Sequence, residues 1–268
     1  MGEVALHNAP HGENIAMLPS LASPANPEVK RLVRLHRGAE RRAQGAFLAE
    51  GRRVIQGFLD HGWVPRCLYL REDLDPPPGW SGVMRLISQR VLERVSQSRT
   101  PSGYLAEFPL PMARDSNTVD LSGGGLVLAG LTDPGNVGSL IRTAVALGFT
   151  QVAMIGGVDP YAGKVVQASA GALAAVRLFP LPAARDVETL ASVAPVVALV
   201  VAGGDRLEDL APGPRWVVVG SEAHGIPPAV LDRCTHRATL PMAPESESLN
   251  AAAAGAIALF LSSPLRRG

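Results

Sequence analysis

Apolar residues in this chain recur with two spacings, and the points where one gives way to the other mark out its elements. Asn26-Pro27-Glu28 has the composition of a helix start: a capping Asn, a Pro at the first helical position and an early acid. Val29, Leu32, Val33 and His36 follow at helical spacing, so one face packs, while Lys30, Arg34, Arg37 and Arg41 fall on a different, basic stripe. Ala46 to Gly51 reads as a short strand and turn, and Arg53 to His61 as a helix with Val54, Ile55, Phe58 and Leu59 on its apolar side. Cys67 to Leu70 and Met84 to Ile87 read as strands on either side of a loop forced by Pro76 to Pro78, and Ser88 to Val95 as a helix. Strand and helix alternating at this pitch predict a small α/β domain.

From Phe108 to Gly125 the pattern dissolves into Pro, Asp, Ser and Asn, then the triple Gly123-Gly124-Gly125. The predicted organisation is therefore a tail over 1–20, a first domain over 21–107, a linker over 108–123 and a second α/β domain over 124–268. In the second domain, Leu126 to Leu131, Gln151 to Ile155, Val196 to Val201, Trp216 to Val219 and a short run at Leu240 are expected strands. Val137 to Leu147, Val165 to Ala175, Pro228 to Arg233 and the Ala-rich stretch after Ser248 are expected helices.

Composition adds exclusions. At 268 residues, with 47% hydrophobic and 18% charged, the chain can bury a proper core and is not disordered as a whole. Net charge is near zero but uneven: Pro27 to Asp60 holds Lys30, Arg31, Arg34, Arg37, Arg41, Arg42, Arg52 and Arg53 against four acids. That excess suits a polyanion. Cys67 and Cys234 are too few and too far apart for a disulfide framework or metal cluster, and read as reduced thiols of a cytoplasmic protein. The first twenty residues lack the basic flank and apolar run of a secretory signal, and Leu249 to Leu261 is shorter than a bilayer requires.

Three strand-to-loop transitions end in different polar groups: Asp133-Pro134-Gly135-Asn136 leading into a helix that bears Arg142, Gly220-Ser221-Glu222 after an apolar strand, and Ser248-Leu249-Asn250 before the Ala-rich helix. Parallel sheets gather active sites from such transitions at the carboxyl ends of their strands. Neither glycine-rich stretch fits a nucleotide loop: Gly123, Gly125 and Leu128 miss the dinucleotide spacing and precede a strand, and Asp133 to Ser139 lacks the Lys-Ser/Thr of a P-loop. No His pairing suggests a metal.

Together DPGNVGSLIRTAVALGF, VVVGSEAHGI and LPMAPESESLNAAAAGAIALFL resemble, in order, the three signature motifs of the SpoU/TrmH RNA 2′-O-methyltransferases of the SPOUT superfamily. The first domain, with SRTPSGYLAEF, resembles the ribosomal-protein-like substrate-binding domain of rRNA-directed members. The resemblance implies a trefoil-knotted, homodimeric catalytic domain that binds S-adenosylmethionine through main-chain groups at Gly220, Leu240, Met242 and Leu249, with Ala202 a looser match. It further implies that Asn136, Arg142, Glu222, Ser248 and Asn250 complete the catalytic site, with Arg142 acting on the other protomer's cofactor. A guanidinium stays charged in proteins, so Arg142 suits an alkoxide stabiliser and phosphate anchor better than a base. Lys30, Arg34, Arg37 and Arg41 become the expected RNA contacts.

The implied activity is methyl transfer from S-adenosylmethionine to a ribose 2′-hydroxyl of RNA, ribosomal RNA being favoured by the first domain, in a metal-free, membrane-free enzyme. A tRNA 2′-O-methyltransferase and a non-catalytic RNA-binding or ribosome-assembly protein of the same fold are the alternatives. Each site residue also has a plainer use: Asn136 as a helix cap, Glu222 as a turn acid, Ser248 as an N-cap, and Leu240, Met242 and Leu249 as core.

Overall fold

A computed structural model describes residues 5–8, 14–111, 120–211, 213–243, 245 and 247–267, which fall into two compact units. The first unit is built on a six-stranded mixed sheet. Its strands are β1 (Ala5–Asn8), β2 (Asn14–Leu21), β3 (Ala46–Glu50), β4 (Cys67–Arg71), β5 (Gly82–Ile87) and β6 (Tyr104–Pro109), in spatial order β1-β2-β5-β4-β6-β3. Helices α1 (Pro27–Arg34), α2 (Gly38–Gln44), α3 (Arg52–Asp60) and α4 (Gln89–Val95) belong to the same unit.

The helix start at Asn26 forms through its side chain, which accepts the Glu28 N–H at 2.8 Å, with Pro27 in the first turn. The basic stripe, however, is not continuous. Helix α1 ends at Leu35 and the chain turns before restarting at Gly38, which rotates Arg41 inward. Arg41 is 3% exposed and its Nη1 donates to the Leu35 carbonyl at 2.9 Å, covering an open helix end. Only Lys30, Arg34 and Arg37 of the four cations remain exposed.

Residues 14–20, expected in a tail, instead form most of β2, which lies parallel to β5 and antiparallel to β1. Pro19 sits within this strand and the pairing register shifts between Leu18 and Leu21, which is why no clean alternation marks it in the sequence. The expected linker lies largely at 112–119, outside the described residues.

A buried ionic group sits in the first unit. Glu107 is 3% exposed and accepts from Arg31, whose guanidinium also donates to Glu28 at 2.9 Å, while the Tyr69 hydroxyl donates to Glu28 at 2.8 Å. Arg31, by hydrogen bond and charge, and Tyr69 outweigh burial and hold the Glu28 carboxyl below its ordinary value of 4.5.

The second unit carries β7 (Gly125–Ala129), α5 (Pro134–Ala146), β8 (Gln151–Ile155), β9 (Arg177–Pro180), α7 (Val187–Ala191), β10 (Val196–Leu199), β11 (Asp205–Arg206), β12 (Trp216–Gly220), α8 (Pro228–Leu231), β13 (His236–Thr239) and α9 (Ala251–Ser262). Its seven strands are all parallel, in order β11-β13-β10-β12-β7-β8-β9. Alternate residues of the central strands, among them Val127, Ala129, Trp216 and Val218, enter one core with Val187, Leu190 and Val230. Trp216 is fully buried, donates its indole N–H to the Leu121 carbonyl at 3.2 Å and meets Phe179 edge to face; truncating such a side chain to Ala costs roughly 3–5 kcal/mol. On the opposite face α9 packs against α5 and β12, and a Cβ on Gly255 would stand 2.4 Å from Leu140 Cδ2. Small residues in α9 therefore serve close helix packing.

The helix expected over Val165 to Ala175 is broken. Helix α6 (Gly163–Ala168) ends at Ser169, Ala170 takes a left-handed φ of 51° and a 3₁₀ turn follows over Ala172–Ala175. Residues 161–174 belong to the first unit, although they lie between β8 and β9 in sequence. The break lets Gly171 meet Gly57 backbone to backbone, where a Cβ on Gly57 would be 2.9 Å from the Gly171 Cα. Tyr161 stacks into an aromatic group with Phe47, and the Trp63 indole donates to the Ala174 carbonyl at 3.2 Å.

Because Glu28 titrates below its unfolded value, its contribution to stability is complete above pH 4.5 and is lost as pH falls through the folded value. Glu28→Gln should lower Tm at pH 7 and flatten the fall in Tm below pH 4.5, measured by circular dichroism melts; an unchanged acid limb would remove the ion pair from the stability account.

Candidate active site

Parallel strands place all their carboxyl ends on one edge of the second sheet, and three of the loops leaving that edge carry the polar motifs. After β12 the chain makes a tight loop: the Ser221 N–H donates to the Gly225 carbonyl at 3.1 Å and the Gly225 N–H returns to the Ser221 carbonyl at 2.8 Å. Gly225 has a φ of 66°, and the loop folds so closely on its own stem that a Cβ on Gly220 would lie 2.3 Å from the Gly225 carbonyl carbon. Glycine at 220 is thus required by the chain's own loop. That loop holds Glu222 at an exposed turn.

Asn136 stands at the third helical position of α5, and the cap is Asp133, whose Oδ1 accepts the Asn136 N–H at 2.7 Å. The Asn136 side chain is consequently free for another use. Its Nδ2 donates to Glu222 Oε1, and its Oδ1 accepts from Asn250 Nδ2 at 3.2 Å. Asn250, in turn, is the N-cap of α9, its Oδ1 accepting the Ala252 and Ala253 N–H groups at 2.9 and 3.2 Å. An ionised carboxylate only accepts, so Glu222 fixes which end of the Asn136 amide faces it, and Asn136 then fixes Asn250. Helix capping by Asn250 agrees with the same orientation. Three residues 86 and 114 positions apart along the chain are thus one hydrogen-bonded series.

Beside this series, at the carboxyl ends of β10, β12 and β13, lies an open cleft. Gly220, Leu240, Met242 and Leu249 line it, and Glu222 and Ser248 stand on its polar side. Ala202 is exposed and does not line it. The wall from β10 is instead Leu199, the last residue of the strand, with Val200 and Val201, the three residues just before Ala202. Ser221 and Ala251 also contribute, as do Gly225 and Ala254, which the sequence did not single out. The apolar run from Val196 to Val201 outlasts the strand by two residues, the one sequence signal for that wall.

Arg142 is on α5 but not in this group. Six residues beyond Asn136 it projects roughly 240° around the helix axis, and it is exposed with no hydrogen bond or ion pair among the described residues. Helices α5 and α9 lie side by side, and α9 also exposes Ile257 (43%) and Phe260 (53%). Burial pushes the Cys67 thiol up to about 12 and Cys234 up to about 11, so neither is a thiolate at neutral pH. Among the described residues no cluster of three or more His, Cys, Asp or Glu could hold a metal ion, and no helix is long and apolar enough to cross a membrane.

The sequence profile of the SpoU rRNA Methylase family matches residues 125–260, and that of the MRM3-like substrate binding domain matches residues 26–106. An uncharacterised tRNA/rRNA methyltransferase of Synechocystis is 31% identical over 91% of this chain and 93% of its own. The 23S rRNA (guanosine(2553)-2′-O)-methyltransferase RlmP of Bacillus subtilis is 27% identical over 91% of this chain and 98% of its own. The solved structure of the SpoU methyltransferase AviRb from Streptomyces viridochromogenes, in complex with AdoMet, superposes with a TM-score of 0.81 at 25% identity, covering 91% of this chain and 99% of that one. A parallel-sheet domain with its polar series and cleft at the strand ends, matched from 125 to 260, and a first unit matched from 26 to 106 together establish that this chain belongs to the SpoU rRNA methylase family.

Proposed function

We propose that the protein is a cytoplasmic enzyme that methylates a ribose 2′-hydroxyl in large-subunit ribosomal RNA, using S-adenosylmethionine bound in the cleft beside Glu222. The observation that carries this reading is the Asn250–Asn136–Glu222 series standing beside a largely apolar cleft that Glu222 itself lines. The cleft's donor set fits the cofactor: aliphatic side chains at Val219, Leu240 and Leu249 suit the faces of an adenine, and main chain at three strand ends suits its edge. Bound there, the cofactor would supply an electrophilic methyl group.

The chain's own residues supply orientation and charge. In-line displacement at a sulfonium methyl needs the attacking hydroxyl placed and partly stripped of its proton. Glu222 has one oxygen engaged by Asn136, so its other oxygen can accept from a hydroxyl; Asn136 keeps the carboxylate from swinging away. Ser248, on the same side of the cleft, is a further polar contact for the substrate. Because Arg142 projects away from its own Asn136, it serves the site of a second protomer, as alkoxide stabiliser and phosphate anchor. The apolar strip of Ile257 and Phe260 on the neighbouring helix is the surface such a homodimer would cover, and the trefoil knot of the family belongs to the same reading. Lys30, Arg34 and Arg37 provide exposed positive charge on the first unit for the RNA backbone.

Isothermal titration with S-adenosylmethionine, followed by transfer of labelled methyl to ribosomal RNA fragments and nucleoside analysis, tests the proposal. A 2′-O-methylated nucleoside is expected; cofactor binding with no transfer to any ribosomal RNA would overturn the assigned substrate. Asn136→Ala and Glu222→Ala should keep the fold and bind the cofactor within a few-fold of wild type while kcat falls about 10²-fold; unfolding would return both residues to a structural role. Arg142→Lys should lose most of the turnover, since one ammonium cannot replace a bidentate guanidinium, and near-wild-type turnover would dismiss Arg142 from the site. Replacing Lys30, Arg34 and Arg37 by Ala should reduce the slope of log K against log salt for RNA by about 2 with cofactor affinity unchanged, whereas an unaltered slope would move the RNA surface elsewhere.

A further inference from the structure

The first unit contains a second cleft that no step of the methyl transfer uses. Its walls are apolar: Leu35 after α1, Leu48 on β3, Val95 at the end of α4, Leu105 on β6 and Ala168 on α6. The ring of Tyr161 forms part of the lining, held against Phe47 with centroids 5.0 Å apart. The polar groups are distributed in a way that leaves hydrogen-bonding capacity facing a ligand.

Glu50 is the one acid in the lining, and both of its oxygens are engaged: Oε1 accepts the Ser96 hydroxyl at 2.5 Å and Oε2 the Gln97 N–H at 3.3 Å. It anchors the 96–98 loop and, since both of its partners are neutral donors, keeps a negative charge that disfavours an anion in the cleft. His36 donates from Nε2 to the Val95 carbonyl at 2.8 Å, since a carbonyl can only accept, which leaves Nδ1 as an acceptor on a neutral ring. Burial favours that neutral form. By contrast, the side-chain amides of Gln97 and Gln167 have no hydrogen bond among the described residues, and each presents a donor and an acceptor. Lys164 is exposed in the lining, and Arg37 and Arg99, next in sequence to His36 and Ser98, are exposed as well; none of the three has an ion pair among the described residues.

We infer that this cleft captures one unpaired nucleobase of the RNA, distinct from the nucleotide that is methylated. Apolar walls with an aromatic ring suit a base taken out of its stack, and two uncommitted amides suit a base edge, which mixes donors and acceptors. The flanking cations suit the phosphates on either side of that nucleotide. A purely anionic ligand would not need the apolar walls, and a purely apolar one would leave both amides unpaired. The inference rests on the reading of the protein as an RNA-modifying enzyme and adds to it a source of sequence selectivity.

The full-length protein, labelled with ¹⁵N in its six glutamine side chains, provides the test. It is titrated with AMP, GMP, CMP and UMP, and separately with inorganic phosphate, in the presence of excess S-adenosylhomocysteine so that the cleft beside Glu222 is filled. Signals assigned by Gln97→Ala and Gln167→Ala should shift saturably with at least one nucleotide and stay fixed with phosphate. The double variant should bind a single-stranded RNA containing that base about tenfold more weakly, with the salt slope and S-adenosylhomocysteine affinity unchanged. Amide signals unmoved by all four nucleotides, or moved equally by phosphate, would overturn the base-capture site. Absence of S-adenosylhomocysteine binding would instead count against the methyltransferase reading, because the glutamine signals report on a different cleft.

Discussion

A carboxylate cannot donate a hydrogen bond, and that single asymmetry orders the centre of the second unit. Glu222 obliges the Asn136 amide to turn its nitrogen outward, Asn136 obliges Asn250 to do the same, and Asn250 is left with its oxygen toward the first N–H groups of α9. Each link also has a structural employer: the Ser221–Gly225 loop for Glu222, the Asp133 cap for the backbone of Asn136, and the start of α9 for Asn250. The result is a set of polar side chains whose orientation is settled before any substrate arrives. Preorganisation of this kind is what electrostatic catalysis requires, since a group already aimed has no reorientation to undergo at the moment of reaction.

In the first unit the ordering interactions are of another kind. Residues 161–174 leave the second sheet's succession of strands and supply the first unit with Tyr161, α6 and the Gly171 contact to Gly57. For two backbones to touch there, both positions must lack a Cβ and the helix must be interrupted, which Ala170 accomplishes by adopting a left-handed conformation that is strained for a residue with a side chain. A segment held at that cost is a built part of the unit, and it forms one wall of the cleft containing Lys164 and Gln167.

Much of this was legible in the sequence because it depends on local chemistry. The Asn26 cap, the strands at β7, β8 and β12 and the polar ends of three transitions follow from spacing and from residues with restricted backbone preferences. What escaped depends on tertiary partners. Arg41 sits at helical spacing from Arg34 and Arg37, and only a turn between two short helices, which no Pro and a single Gly announce, carries it inward to a carbonyl. The strand β2 hides behind Pro19, and β9 is only four residues long, ends in Pro180 and begins with exposed Arg177. Val165 to Ala175 has helical composition throughout; its interruption is dictated by Gly57, more than a hundred residues away. Within the site, Ala202 and Val200 are equally plausible on composition, and the difference between them is where β10 stops.

The position of Arg142 carries the remaining step. A side chain six residues from Asn136 on a regular helix cannot share its face, whatever rotamer it takes, because the Cα–Cβ directions diverge by roughly 120°. If Arg142 takes part in the chemistry, its target must come from outside the chain, and an exposed guanidinium with no partner among the described residues is available for that. The same helix pair exposes Ile257 and Phe260, large apolar residues that a solitary protein gains nothing by presenting to water. Charge and apolar surface on adjacent helices are together what the proposed isologous contact would use, since each partner would contribute both an apolar strip to cover the other's and an arginine to reach the opposite molecule. A catalytic site assembled in this way would exist only in the dimer, so under the proposed function turnover would depend on association.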